Sequence, residues 1–309
     1  MINHKDLILG TSLWGWTVKK KECFEILETF YNNGYRWIDT ATNYPINSDK
    51  KYFRYAENLI AQWIKNNDIN DLKIISKIGS MNNFGGDNVN LSYSFILMNY
   101  EYYLDKFQSC LKNIMVHWDN RDSKLSIEST INALKVINQN GVDIGLSGIK
   151  NPEHYFVLKN ELDIEYFIEV KHNIFSSSFE HYRMFFNNCK FIVYGINASG
   201  IKINGKYNKL NSLIVRKRDY QSKKRIIIIN KIKKLIEKYN DDTSFPIKSF
   251  NHIGMIYAFN SLWVNGIIIG PSSLTQLMDS ISSFNKLNIY DTNNIYGEIR
   301  NSINYNEKI

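Results

Sequence analysis

Along this chain, short runs of β-branched and apolar residues alternate with longer segments whose apolar residues recur at helical spacing. The runs occupy residues 7–11 (LILGT), 36–39, 73–77, 113–117, 143–147, 166–170, 191–194 and 266–270. Helical patterns fill 20–33, 53–66, 94–108, 124–140, 152–160 and 178–188. Eight strands separated by amphipathic helices are what parallel strand–helix–strand units require. The intervals from Asp39 to Lys77 and from Lys77 to His117 are nearly equal, as in an eightfold repeat. The pattern therefore predicts an α/β fold, a closed (β/α)8 TIM barrel, ahead of an open doubly wound sheet. No GxGxxG follows the first strand, and the LGTSLWG found there has the wrong spacing for the open-sheet dinucleotide fingerprint. The stretch from Tyr194 to Gly266 is too long for one crossover and predicts a long loop (198–221) with helices over 222–239 and 247–260 inserted between strands seven and eight. One barrel domain spans 1–309 on this reading.

Composition supports one large core, since 44% of the 309 residues are hydrophobic. Cys23, Cys110 and Cys189 are odd in number and lack CxxC spacing, which suggests neither a disulfide framework nor a zinc site. The amino terminus carries no sustained apolar stretch, and no segment approaches the ~18 consecutive apolar residues of a membrane span. These features predict a cytoplasmic protein with no membrane partner. The net charge of +8 and the basic clusters at 215–225 and 230–240 raise a nucleic-acid reading. In the second cluster, however, Ile228, Ile229, Ile232, Leu235, Ile236 and Tyr239 recur at helical spacing with lysines between them, the pattern of a solvated helix face. No nucleic-acid partner is expected.

The barrel reading gives Asp39, Lys77 and His117 equivalent places, each ending its run on strands two, three and four. Their side chains should meet at the carboxyl-end mouth where barrel active sites are built, with Tyr44 in the loop above. Taken singly, an acid that caps a turn, a packed tyrosine and a core histidine are ordinary features. Together, acid, amine, phenol and imidazole make a proton-transfer site. A free phenol has a pKa near ~10, and a nearby ammonium lowers it. Lys77 would be that cation, Asp39 would hold it, and His117 would orient a carbonyl oxygen against the Tyr44 hydroxyl. With no metal-ligand cluster and no nucleophile motif, the natural co-reactant is a hydride donor, a bound cofactor.

These residues resemble a known family, the aldo-keto reductases, over nearly the whole chain. GYRWIDTATNY looks like the segment carrying the family's catalytic aspartate and tyrosine, IISKIG its lysine strand and NIMVHWDN its histidine strand. DIGLSGIK and FIEVKHNIF resemble the strands that hold a nicotinamide carboxamide, FIVYGINASG the segment whose tyrosine stacks on the ring, and GIIIGPSSLTQLMDSI the closing cofactor clamp. The resemblance implies reduction of an aldehyde or ketone, or the reverse, with NADP or NAD as cofactor. The implied cofactor contacts are Thr11, Ser147, Glu169, Tyr194, Gly195, Gly270, Ser273 and Gln276. Three departures stand out: Gly148 where the family usually has asparagine, Glu169 where it has glutamine, and Gly195 with Ile196 where a Ser-Pro pair is common. An ionised Glu169 accepts from the carboxamide amine but cannot donate to its oxygen. Gly270 and Gln276 stand where NADP-preferring members often carry lysine and arginine, so basic residues such as Arg216, Arg218, Lys223 and Lys224 are left to reach a 2′-phosphate.

For the carbonyl or alcohol substrate, Trp14, Trp16 and Trp118 beside strand ends one and four are candidate pocket walls, and Asn47, Ser48 and Asp49 suit a polar, sugar-like molecule. The basic patch suits an anionic one. Two rivals are weighed against this reading. A barrel that binds nicotinamide as a sensor or partner-binding protein draws on the altered anchoring residues. A sugar hydrolase or isomerase would need paired carboxylates or a metal cluster, and it leaves Lys77 unexplained.

Overall fold

Alternate residues of each predicted run point to opposite faces, and the pattern shows which face turns inward. The computed structural model describes residues 5–86, 88–203, 205–217 and 222–303. Its parallel strands are β1 (Asp6–Gly10), β2 (Trp37–Ala41), β3 (Lys73–Ile78), β4 (Leu111–His117), β5 (Asp143–Ser147), β6 (Tyr166–Asn173), β7 (Lys190–Tyr194) and β8 (Val264–Ile269). Each pairs with its successor, and β8 pairs back onto β1, which closes an eight-stranded barrel. A (β/α)8 barrel is therefore the fold, as the strand pattern predicts.

Inside the barrel, Ile8, Ile75, Met115, Ile192 and Ile268 form an apolar plug, with Trp37, Phe167 and Tyr194 packed against it. Gly145 belongs to the same layer. A Cβ there would come within 2.8 Å of the Met115 side chain, so β5 leaves its space to that methionine. The residues two positions further along β2, β3, β4 and β6 are Asp39, Lys77, His117 and Glu169. Period-two alternation thus delivers four polar side chains onto the top of the plug.

Outside, α1 (Lys20–Asn32), α2 (Tyr55–Asn66), α3 (Tyr93–Phe107), α4 (Lys124–Gln139) and α5 (Pro152–Leu162) follow the first five strands. Their apolar stripes, such as Cys23, Ile26, Leu27 and Phe30 on α1, pack on the outward residues of the strands in one continuous core. Between β7 and β8 lie the short α6 (Ser212–Val215), α7 (Lys223–Tyr239) and α8 (Phe250–Asn260), and α9 (Leu274–Leu287) and α10 (Asn293–Ile303) close the chain. In α7, Ile228, Ile232, Leu235 and Ile236 are buried and the first-turn lysines are exposed.

The helix predicted at 178–188 does not form. Residues Ser176–Ser177 instead pair back on the end of β6, and Glu180–Phe185 is a 3-10 turn. Phe179, Tyr182 and Phe185 are spaced by three, which matches the 3-10 period and not the α period. Asn173 starts the reversal, its Oδ1 accepting from the Phe175 and Ser176 N–H groups at 3.0 and 3.1 Å. Helix α10, unmarked by the sequence pattern, rests on Ile295 and Ile299, one turn apart and buried.

Candidate active site

The register sets the site's geometry. Across neighbouring strands His117 pairs with Ser147, Ser147 with Glu169, and Gly10 with Asp39, so residues distant in sequence share the mouth. Thr11 ties the first two strands at this level, donating its N–H and its Oγ1 to the Asp39 carbonyl at 3.1 and 2.9 Å.

Lys77 is wholly buried at the centre. Its Nζ donates to Asp39 Oδ1 and to both oxygens of Glu169, at 3.3 and 3.1 Å. The ammonium lies 5.1 Å from the centre of the Tyr44 ring. Tyr44 and His117 meet edge to face with ring centres 6.2 Å apart, and His117 abuts Trp118 at 4.5 Å. The four residues read as a proton-transfer set are thus brought together, with Glu169 as a fifth member.

Charge balance explains their titration. Burial would lower the Lys77 pKa, but the Asp39 and Glu169 carboxylates outweigh it and hold the group well above the ordinary lysine value. Burial, reinforced by the Glu169 charge, pushes Asp39 up to about 8 against the pull of Lys77, so one proton stays on the acid pair near neutrality. His117 is kept neutral by burial and by the Lys77 charge beside it. The expected net lowering of the phenol is not found. Burial raises Tyr44, and the two carboxylates oppose the lowering effect of Lys77 and Arg216. A second acid on the lysine is what the sequence argument did not include.

Above these groups opens a cavity of about 1340 Å³, larger than the ~300–1,000 Å³ typical of single-ligand clefts. Asp39, Tyr44, His117, Trp118, Ser147, Glu169, Tyr194 and Gly195 line it, together with Gly270, Ser272 and Gln276. Asn173 Nδ2 donates to the Gly195 carbonyl at 3.0 Å and fixes the turn after Tyr194. A Cβ on Gly270 would meet nothing within 4 Å, so that position adds open space. Arg216 reaches across the cavity from the loop before α7 to donate to Ser12 Oγ at 2.8 Å. A cavity lined by an aromatic ring, basic side chains and a helix start has the partners a dinucleotide needs, since its phosphates need donors and its base a flat partner.

Three expected contacts stand apart from this lining. Trp14 is not a pocket wall: it is buried in the core at 1% exposure, and Trp16 lines the cavity in its place. Ser273 serves as the N-cap of α9, accepting the Gln276 N–H at 3.3 Å, and Thr11 is engaged with Asp39 as described. Gln276 folds back to accept from Ser272 N–H at 2.9 Å. Asn47 and Ser48 line the cavity, whereas Asp49 turns away to accept the Lys51 N–H at 3.1 Å. Lys223 and Lys224 are exposed on α7, and Arg218 lies outside the described residues. Ser12, Lys248, Asn251 and Asp279 line the cavity without having been singled out. For Ser12, two residues past β1, and for Lys248 and Asn251 at the start of α8, polarity at a strand end or helix start was the signal available, whereas Asp279 sits within α9 and carried none.

Gly148, where asparagine is usual, has φ +69°, and a Cβ there would sit 2.6 Å from Trp118 Cδ1. The Trp118 indole occupies the space an asparagine side chain would need.

Among the described residues, no group of three or more His, Cys, Asp or Glu side chains is placed to hold a metal, and no helix is long and apolar enough to cross a membrane. None of the curated proteins compared with the chain matches it. The family description "Aldo/keto reductase family" matches residues 6–297 of the 309, in agreement with the closed barrel and its polar mouth, and the chain belongs to that family of oxidoreductases acting on small-molecule carbonyls.

Proposed function

We propose that the protein catalyses NAD(P)H-linked reduction of an aldehyde or ketone to an alcohol, and the reverse, with Tyr44 as proton donor and acceptor. The observation that carries this reading is the meeting of Tyr44 and His117 edge to face above a buried, charged Lys77, at the floor of a cavity large enough for two ligands. Tyr194, Ser147 and the Gly270–Gln276 segment would hold a reduced nicotinamide, which when bound would supply the hydride.

The protein's own groups do the rest. His117, neutral, offers a ring nitrogen to the carbonyl oxygen and orients it towards Tyr44 Oη. As the carbonyl carbon gains hydride, the oxygen takes the phenolic proton, so the C=O π bond is replaced by one C–H and one O–H bond. Lys77 keeps its charge through the cycle because two acids surround it, and it stabilises the phenolate left behind. The Trp118 indole against His117 shields the site from water, which strengthens each of these interactions. Asn47, Ser48 and Arg216 on the walls favour a polar or anionic carbonyl compound.

Titration with NADH and NADPH, followed by nicotinamide fluorescence, tests the cofactor half of the reading. Turnover of a generic aldehyde tests the rest: Tyr44→Phe is expected to keep cofactor affinity and to lose at least ~100-fold in rate, the lower range for a general acid. Binding of neither cofactor, or unchanged turnover in the variant, overturns it.

A further inference from the structure

Holding a buried lysine in place requires one carboxylate, and this site supplies two. Lys77 Nζ is shared between Asp39 and both oxygens of Glu169, and all three side chains are at most 4% exposed. We propose that Glu169 is a positioning residue that acts through Lys77: by holding the ammonium with both of its oxygens it draws the positive charge away from the Tyr44 hydroxyl, and so biases the site towards carbonyl reduction over alcohol oxidation. The inference rests on the reading of Tyr44 as the proton-transfer group.

The groups facing the phenol come from every wall of the mouth. They are Asp39 from β2, Lys77 from β3, His117 from β4, Glu169 from β6 and Arg216 from the loop before α7. Glu169 itself faces Lys77, Asp39 and Tyr44, with Tyr182 of the 3-10 turn behind it. His117 is neutral, so Lys77 is the inner cation that would stabilise a phenolate. With Asp39 alone, Lys77 would form a pair of no net charge beside Tyr44. Glu169 adds a second acid on the same nitrogen, and once both acids are ionised the inner cluster carries net negative charge beside the phenol. Such a charge disfavours phenolate in a dry site far more than it would in water. Reduction needs the phenol and oxidation needs the phenolate, so the extra acid acts on the two directions in opposite senses. The geometry also commits both Glu169 oxygens to Lys77, which leaves Ser147 as the neighbouring hydroxyl for a carboxamide.

The test compares wild type with Glu169→Gln, which keeps shape and an acceptor oxygen but removes the charge, and with Glu169→Asp, which restores it. In the alcohol-oxidation direction, the pH at half-maximal kcat is expected to fall by at least ~1 unit in Glu169→Gln, a tenfold gain in phenolate at fixed pH, and to return towards wild type in Glu169→Asp. In the reduction direction, the alkaline limb of the pH profile is expected to move to lower pH by the same amount, because that direction needs the protonated phenol. A midpoint in Glu169→Gln within ~0.3 units of wild type overturns the proposal. Should the variant fail to fold, NMR of wild-type protein carrying 13C-labelled tyrosine decides, with Tyr44 assigned by the signal lost in Tyr44→Phe. Tyr44 titrating above the ordinary ~10 in wild type, and higher there than in Glu169→Leu, supports the role of Glu169, whereas an ordinary or lowered value, or equal values in the two proteins, overturns it. That measurement needs neither cofactor nor turnover. A protein without NAD(P)H-linked activity but with a high-titrating Tyr44 defeats the proposed function alone, whereas an active protein with an ordinary Tyr44 defeats only the role of Glu169.

Discussion

Replacing both acids that hold Lys77 should cost far more stability than the two single replacements together. In Asp39→Asn the ammonium keeps Glu169, and in Glu169→Gln it keeps Asp39, so each variant retains one balanced buried pair. One hydrogen bond to the ammonium is lost in each, but the acid that remains keeps its charge opposite Lys77, and the net cost should be ~1 kcal/mol. The double variant leaves a wholly buried ammonium with no counter-ion, for which ~3–5 kcal/mol is the usual penalty. A coupling of ~2 kcal/mol beyond the sum follows. Denaturant unfolding of the four cofactor-free proteins at neutral pH measures it from midpoints, provided the slopes agree. Additivity within ~0.5 kcal/mol would refute the reasoning, because it would mean the carboxylates do not share the lysine. The same cluster fixes a pH dependence. Asp39 is raised from 3.8 to about 8, so between these values the folded protein keeps a proton that the unfolded chain has released. Stability therefore declines as pH rises through that window and levels off above it. Lys77, raised above its ordinary value, stabilises fully below that value and loses its contribution only at more alkaline pH. In Asp39→Asn the decline between pH ~4 and ~8 should largely vanish.

Tyr194→Ala should weaken cofactor binding, since Tyr194 borders the cavity, and should also cost some stability because its ring packs on the apolar plug. Tyr182→Ala should instead cost ~3–5 kcal/mol of stability, because Tyr182 is buried and bonded to Ile149 at 2.9 Å. Equal dissociation constants for the two variants, each measured where it is folded, would remove the stacking role. Lacking a basic pair at Gly270 and Gln276, the site should bind NADH and NADPH within ~30-fold of each other, about 2 kcal/mol. A larger NADPH preference that collapses with added salt and with Arg216→Ala would assign 2′-phosphate recognition to that loop arginine. Gly148→Ala should cost ~2–4 kcal/mol through its left-handed φ and the Trp118 ring, and Trp118→Ala in the same chain should relieve part of it. If the paired change is no milder than the sum, the steric account is wrong.

Much of the barrel was legible because its signals are local. The run ending in Asp39, the lysine run ending in Lys77 and the NIMVH run each announce a strand by composition alone. Period-two alternation then forces Asp39, Lys77 and His117 to the same side as the apolar plug residues two positions earlier. The segment at 178–188 misled because apolar residues spaced by three serve a 3-10 turn as well as an α-helix, and only the rings of Phe191 and Trp263 packed against it select between them. Tertiary structure alone decided the electrostatics. Glu169 is remote from Asp39 and Lys77 in the chain, and its contact with Lys77 exists only because barrel closure brings β6 opposite β3. The proton kept on Asp39 and the raised Tyr44 follow from that contact and from burial. The place of Trp118 against Gly148 and the reach of Arg216 to Ser12 are likewise set by packing. Pattern along a chain reports which face a residue takes, whereas charge and space depend on distances across the barrel that no local pattern encodes.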